Sequence, residues 1–196
     1  MNAPFFQGNQ YFIDEKVNFF KFENIYRVYN EEGQHIGQVK QKLTAGEKIL
    51  RLMLNKGMLP FKLEIMNNEN QVQATINRGW TFFMSKIAIS DSTGTQIGYI
   101  QQKFKFLKPT FKVFDNDDKL LAEINGDWKS WNFAIQNDKG GEVGKINKKW
   151  AGAMREIFTS ADKYYVFIDP EFQDGNKKLA VLAAAVTIDM VLRESK

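Results

Sequence analysis

The chain has 196 residues and a mass of 22.7 kDa, carries 27 Lys+Arg against 23 Asp+Glu for a net charge of +4, and is 43% hydrophobic and 14% aromatic. A chain of that size can bury about 70% of its unfolded surface, so a single domain over residues 1–196 holds its own core, and the composition excludes disordered, collagen-like and coiled-coil chains. With no cysteine, thiol nucleophiles, disulfides, thiolate metal sites and palmitoyl anchors are excluded as well.

In chain order, Met1 to Gln10 lacks the basic cluster and apolar stretch of a secretory signal, so the chain is expected not to be exported. Tyr11–Val17 reads as a first strand. From Tyr26 to Trp150 one pattern recurs five times: an alternating strand, an Asx residue opening a tight turn, and a return strand with aliphatic residues at every other position. The turns are Asn30-Glu31-Glu32-Gly33, Asn67-Asn68-Glu69-Asn70, Asp91-Ser92-Thr93-Gly94, Asp115-Asn116-Asp117-Asp118 and Asn137-Asp138-Lys139-Gly140. Asx at the first position bonds back to its own turn, and Gly, Asn or Asp at the fourth accepts the left-handed backbone that closes it. The single histidine, His35, follows the first of these turns and is expected to be a solvated hairpin residue rather than a proton relay.

The return strands share Ile36-Gly37-Gln38-Val39, Ile97-Gly98-Tyr99-Ile100, Leu121-Ala122-Glu123-Ile124 and Val143-Gly144-Lys145-Ile146, with Val72 to Ile76 a looser version. Gly or Ala between two aliphatics predicts a strand bend or the close approach of another backbone. The units begin near Arg27, Phe61, Ile87, Phe111 and Phe133 at unequal intervals, which argues for a continuous up-and-down sheet and against uniform propeller blades.

Trp150–Thr159 reads as a short helix and Tyr164–Ile168 as a last strand. About twelve strands are then on offer, and a mainly β (α+β) fold of that size avoids exposed edges by closing into an antiparallel barrel. Such a barrel is too wide for its own side chains to fill. The segment 177–194 is apolar all round, with alanines spaced among Leu179, Val181, Leu182, Val186, Ile188, Met190 and Val191, and is predicted to be a buried central helix. The rival reading is a membrane span, but the 14 residues from Leu179 to Leu192 cover only about 21 Å of a hydrocarbon core about 30 Å thick. Asp189 within it needs a donor, expected from a lysine, an arginine or a backbone amide near one barrel mouth.

The run Trp150-Ala151-Gly152-Ala153-Met154-Arg155-Glu156-Ile157-Phe158-Thr159-Ser160-Ala161-Asp162 resembles the W-x-G-x-x-R-E-x-x-T-D-A-D motif of phospholipid scramblases. The stretch Lys178 to Glu194 is similar to the K…I-D…E terminal helix of that family, which sits within the tubby-like and LURP-one-related group. The resemblance implies a twelve-stranded barrel around a hydrophobic C-terminal helix, an association with phospholipid, and a cytoplasmic location peripheral to the plasma membrane. It also implies a calcium loop at the D-A-D run. Here Ser160 replaces the first carboxylate, leaving Asp162, Asp169, Glu171 and Asp174 as oxygen donors of a degenerate site, so no cofactor is expected and any calcium affinity is weakened. The Pro-rich leader and acylated cysteine cluster of animal scramblases are missing, so no lipid anchor is expected.

Two basic clusters are candidate headgroup ligands: Lys103, Lys105, Lys108 and Lys112, and then Lys145, Lys148, Lys149 and Arg155. The bland alternative for such strand lysines is protection of a sheet edge. Trp128 and Trp131 suit either a membrane interface or a strand-end core, and Met53, Met58, Met66 and Met84 are read as core fillers rather than metal ligands. The expected function is binding to anionic membrane surfaces with assistance to transbilayer lipid movement. The alternative is a soluble nucleic-acid-binding or protein-interaction barrel, and no catalytic constellation is evident.

Overall fold

The computed structural model describes residues 4–16, 24–54, 59–80, 86–105, 108–127, 129–148, 163–172 and 174–194. After a short 3-10 turn, Pro4–Phe6, the strands are β1 (Gln10–Lys16), β2 (Ile25–Tyr29), β3 (His35–Lys42), β4 (Phe61–Asn67), β5 (Val72–Arg78) and β6 (Lys86–Asp91). They continue as β7 (Gln96–Lys105), β8 (Lys108–Phe114), β9 (Leu120–Asp127), β10 (Asn132–Gln136), β11 (Glu142–Asn147) and β12 (Lys163–Ile168). Helix α1 (Ala45–Met53) joins β3 to β4, and α2 (Gly175–Glu194) follows β12. Each strand pairs antiparallel with its chain neighbours and β12 pairs with β1, so the sheet closes into the expected twelve-stranded barrel. The helix expected at Trp150–Thr159 lies outside the described residues.

The five turns form for the reason their sequences announce. The side-chain oxygen of each opening Asx accepts two backbone N–H groups: Asn30 from Glu32 and Gln34, Asn67 from Glu69 and Gln71, Asp91 from Thr93 and Thr95, Asp115 from Asp117 and Lys119, and Asn137 from Lys139 and Gly141. The fourth residue is left-handed in all five: Gly33, Asn70, Gly94, Asp118 and Gly140 have φ of 75°, 61°, 85°, 58° and 79°. Just beyond each turn the register slips by one residue, between Val28/Tyr29, Ile65/Met66, Ile89/Ser90, Val113/Phe114 and Ile135/Gln136. The extra residue lies in the return strand, at Ile36, Gln73, Ile97, Leu121 and Val143, and the small residue of that strand follows it directly.

At Gly98 a Cβ would collide with the carbonyl oxygen of Phe114 and come within 3.3 Å of the Asp115 Cα, both backbone atoms that a rotamer change cannot move aside. Gly98→Ala is therefore expected to destabilise the barrel by about 1–3 kcal/mol. Gly46→Ala, where nothing lies within 4 Å of the new methyl, is expected to raise stability by up to about 1 kcal/mol through helix propensity. Urea midpoints of the two variants against the parent check both signs.

Tyr99 adds a pH-dependent contact across two neighbouring hairpins. Its phenol donates to Asp118 Oδ1 at 2.5 Å, and that hydrogen bond to a carboxylate pushes the phenol from an ordinary value of 10.0 up to about 12. Because the folded value is raised, the contact stabilises fully below pH 10 and is lost as pH climbs toward 12. Tyr99→Phe is expected to flatten the alkaline limb of the stability curve over that window. Thermal melts between pH 8 and 12 measure it.

The lumen is filled by α2. Every residue from Leu179 to Leu192 is buried, against inward side chains such as Tyr26, Val39, Leu63, Ile76, Phe111, Phe133 and Val166, all fully buried. Thr187, inside this apolar shell, satisfies its hydroxyl by donating to the Ala183 carbonyl at 2.8 Å, and Asp189 is fully buried as well. Asp174 Oδ1 accepts the N–H groups of Asn176 and Lys177, which caps the helix start with a negative charge where the dipole favours one. The buried Lys178 donates to Asn9 Oδ1 at 2.6 Å and to the Gln7 carbonyl at 3.3 Å, tying α2 to the N-terminal segment whose Phe5 and Phe6 complete the core at this end. Among the described residues no helix is long and apolar enough to cross a membrane.

Candidate functional site

Strand direction sorts the loops by mouth. The five Asx turns and the start of α2 lie at one end of the barrel; α1 and the C-terminal ends of β1, β5, β7, β9 and β11 lie at the other. Charge follows the same division. The five turns hold Glu31, Glu32, Glu69, Asp91, Asp115, Asp117, Asp118 and Asp138 against Lys119 and Lys139, and Asp169, Glu171 and Asp174 follow with Lys177 and Lys178 beside them. Between residues 42 and 148 the opposite mouth carries Lys42, Lys48, Arg51, Lys62, Arg78, Lys86, Lys103, Lys105, Lys108, Lys129 and Lys148, with Glu47, Glu64 and Asp127 as its described carboxylates. Among the described residues, and with Asp14 near the end of β1 counted at the basic mouth, a net charge of only +4 therefore hides an excess of acids at one end and of bases at the other. The α2 dipole is complementary to this arrangement, with its positive N-terminus at the acidic mouth.

At the basic mouth Lys42 and Lys62 reach the same Glu64 carboxylate at 3.5 and 3.3 Å, so one acid answers two bases. Lys86 lies 4.3 Å above the Tyr99 ring and Lys148 lies 4.7 Å from the Trp131 ring. Arg78 is buried, donates to the Leu59 carbonyl at 2.8 Å and stacks 4.5 Å over Phe61. It is a structural clamp on the chain that returns from α1.

The basic residues singled out from sequence divide into three groups. Lys103, Lys105 and Lys108 stand on β7 and β8 at the basic mouth, with Lys105 opposite Lys108; their side chains lie outside the described residues, as do Lys149 and Arg155 altogether. Lys112 lies on the outer wall and is paired with Glu123 at 2.8 Å. Lys145 is exposed on the wall, 5.9 Å from the Phe167 ring, and Lys148 is at the rim. The β7–β8 lysines and those of β11 are separated by β9 and β10, roughly 15 Å along the wall. They line a rim rather than converge on one pocket.

Of the acidic residues named for calcium, Asp169, Glu171 and Asp174 are described. Asp169 Oδ1 accepts the Glu171 N–H at 2.8 Å, and Asp174 caps α2 while lying 3.9 Å from Lys177 Nζ. Among the described residues no three metal-ligating side chains converge; Asp162 lies outside them.

Four readings of single residues also meet the structure. His35 is exposed at the start of β3, as a hairpin residue should be, and Met66 is buried. Met53 is not a core filler: it is 78% exposed on α1, because the chain leaves the barrel wall there. Trp131 takes the strand-end role, half-buried and stacked on Tyr164 at a centroid distance of 5.4 Å. Trp128, Met58 and Met84 lie outside the described residues. Sequence reasoning missed α1, although Thr44 and Glu47 form a capping box, with Glu47 N–H on Thr44 Oγ1 at 3.2 Å and Thr44 N–H on Glu47 Oε2 at 2.7 Å.

An open cleft of about 450 Å³ lies at the acidic mouth, with Glu31, Glu32, Glu69, Asn30 and Asn68 among its lining residues. Its carboxylates repel phosphate.

A family model described as Scramblase matches residues 13–195. The chain is similar to a phospholipid scramblase family protein of Schizosaccharomyces pombe, 24% identical over 72% of this chain and 39% of that protein. It is also similar to human phospholipid scramblase 1, 29% identical over 69% of this chain and 47% of that protein, and to human phospholipid scramblase family member 5, 26% identical over 67% and 54%. The chain thus spans about half the length of the relatives it matches. An Arabidopsis thaliana protein of known X-ray structure shares the fold at a TM-score of 0.56 and 8% identity, over 96% of this chain and 97% of that one.

Proposed function

The chain belongs to the Scramblase family, and from that premise we propose that it binds anionic phospholipid headgroups with the basic mouth of its barrel and assists phospholipid movement between leaflets. The observation that carries this reading is the separation of charge along the barrel axis, acids at the tight turns and lysines at the far rim. Because α2 fills the lumen, a headgroup has no path through the barrel and has to be met outside. Lysines spread along a rim suit a plane of phosphates better than a single ligand, and each near such a plane contributes about 1 kcal/mol over a Debye length. Lipid movement breaks no covalent bond, so the role asked of the protein is to offer counter-charge where a headgroup leaves the plane. On this reading the chain works at the cytoplasmic face of a membrane, with no step through calcium.

Flotation tests the binding. Co-flotation is expected with phosphatidylserine-containing vesicles at low salt and not with phosphatidylcholine vesicles, and added salt should release the protein. Dithionite quenching of a fluorescent lipid in reconstituted vesicles tests the movement separately. Failure to float with anionic vesicles overturns the reading, and a salt-sensitive rise in oligonucleotide anisotropy without flotation favours the nucleic-acid alternative.

A further inference from the structure

Among the described residues the exposed large hydrophobic side chains are Ile49, Met53, Leu54 and Trp80, exposed by 60%, 78%, 48% and 54%. All four lie at the basic mouth, three on α1 or its C-cap and one just past the end of β5. Strand ends scatter single apolar residues around any barrel; four at one mouth and none at the other is a different pattern.

The helix is turned the wrong way for a structural role. A helix laid on a barrel buries its apolar stripe and shows its charges. In α1 Ile49 and Met53, four residues apart and hence on one face, are the outward residues, while Glu47 and Lys48 on the other side are partly buried. The Thr44/Glu47 capping box closes the start of this helix. Arg78, two residues before Trp80, donates to the Leu59 carbonyl at 2.8 Å, and β4, which follows α1, pairs with β5, which precedes Trp80.

Charge complementarity selects the occupant. The exposed apolar side chains share their mouth with Lys42, Lys62 and Lys86, and an apolar patch beside lysines, with an indole at its edge, fits the boundary between anionic headgroups and acyl chains. We propose that α1 and Trp80 form an interfacial anchor that dips into the headgroup layer of an anionic bilayer, setting the barrel with its basic mouth down and its acidic turns in water. This rests on the reading of headgroup binding above and adds to it a penetrating element and an orientation.

The absence of native cysteine allows single labelling sites. Met53→Cys and Ser92→Cys, the second in an exposed turn of the acidic mouth, are each coupled to the fluorophore NBD and mixed with phosphatidylserine-containing vesicles. A blue-shifted emission at residue 53, quenched by lipid carrying a shallow nitroxide, is expected, with residue 92 unchanged. The charge-neutral double variant Ile49→Asn/Met53→Gln, shown folded by its thermal melt, should partition roughly 30-fold more weakly while keeping the salt dependence of binding. Flotation with residue 53 still in water overturns the anchor and leaves headgroup binding intact. No flotation overturns both. A residue-53 label shielded without vesicles, with a solution mass of two chains, overturns the anchor in favour of a second copy.

Discussion

Leu182→Ala is expected to lower the unfolding free energy by about 2–5 kcal/mol, toward the upper end of what a buried leucine costs. Leu182 is fully buried in α2, inside a wall whose twelve strands are hydrogen-bonded all the way round. An open core closes over a lost side chain by letting elements slide together, but a closed barrel cannot shrink without breaking strand pairs. Most of the void therefore stays empty and its lining loses contact. For a domain of this size 4 kcal/mol is worth roughly 8–16 °C in melting temperature. Lys139→Ala, in an exposed turn, should stay within about 0.5 kcal/mol. Removing residues 175–196 altogether should abolish the cooperative transition, because no wall side chain reaches across a twelve-stranded lumen. Urea unfolding followed by tryptophan fluorescence measures the first two. A Leu182→Ala midpoint within error of the parent would show that α2 is not the core of this fold.

That result bears on what could be read from residues alone. The Asx turns were legible because each is a local device: Asp91 carries its own hydrogen-bond acceptor, and Gly94 needs no neighbour to adopt φ of 85°. Closure followed from counting strands, and the plug from a helix with no polar side. The glycine between aliphatics was also legible, since Gly98 faces a backbone carbonyl that leaves no room for a side chain. What was not legible depends on where separate segments meet. The α1 sequence has ordinary amphipathic spacing, and its direction is a tertiary fact: Met53 was expected inside and stands in water. Lys112 likewise looked like a free cation until β9 brought Glu123 to 2.8 Å. The axial separation of charge could have been found by assigning each loop to a mouth, for in an up-and-down barrel alternate connections always fall at the same end.

The second large effect is on membrane affinity: the triple variant Lys42→Gln, Lys86→Gln, Lys129→Gln is expected to bind anionic vesicles roughly a hundredfold more weakly. The three side chains are exposed at the basic mouth, and three losses of about 1 kcal/mol each correspond to about two factors of ten. Lys62 is retained so that the half-buried Glu64, 3.3 Å from it, keeps a partner, which keeps the variant from being a stability mutant in disguise. A matched change at the other end, Glu31→Gln, Glu69→Gln and Asp117→Gln, alters net charge by the same amount in the opposite sense, yet it should leave binding within about threefold, since a barrel length exceeds the Debye length of about 10 Å at 0.1 M salt. Comparing the two triples separates an oriented basic surface from a general effect of net charge. Equal and opposite shifts in affinity would mean that the whole molecule's charge drives association and that the mouth has no special part. Loss confined to the lysine triple, disappearing as salt rises toward 0.5 M, would mean that one end of the barrel meets the membrane.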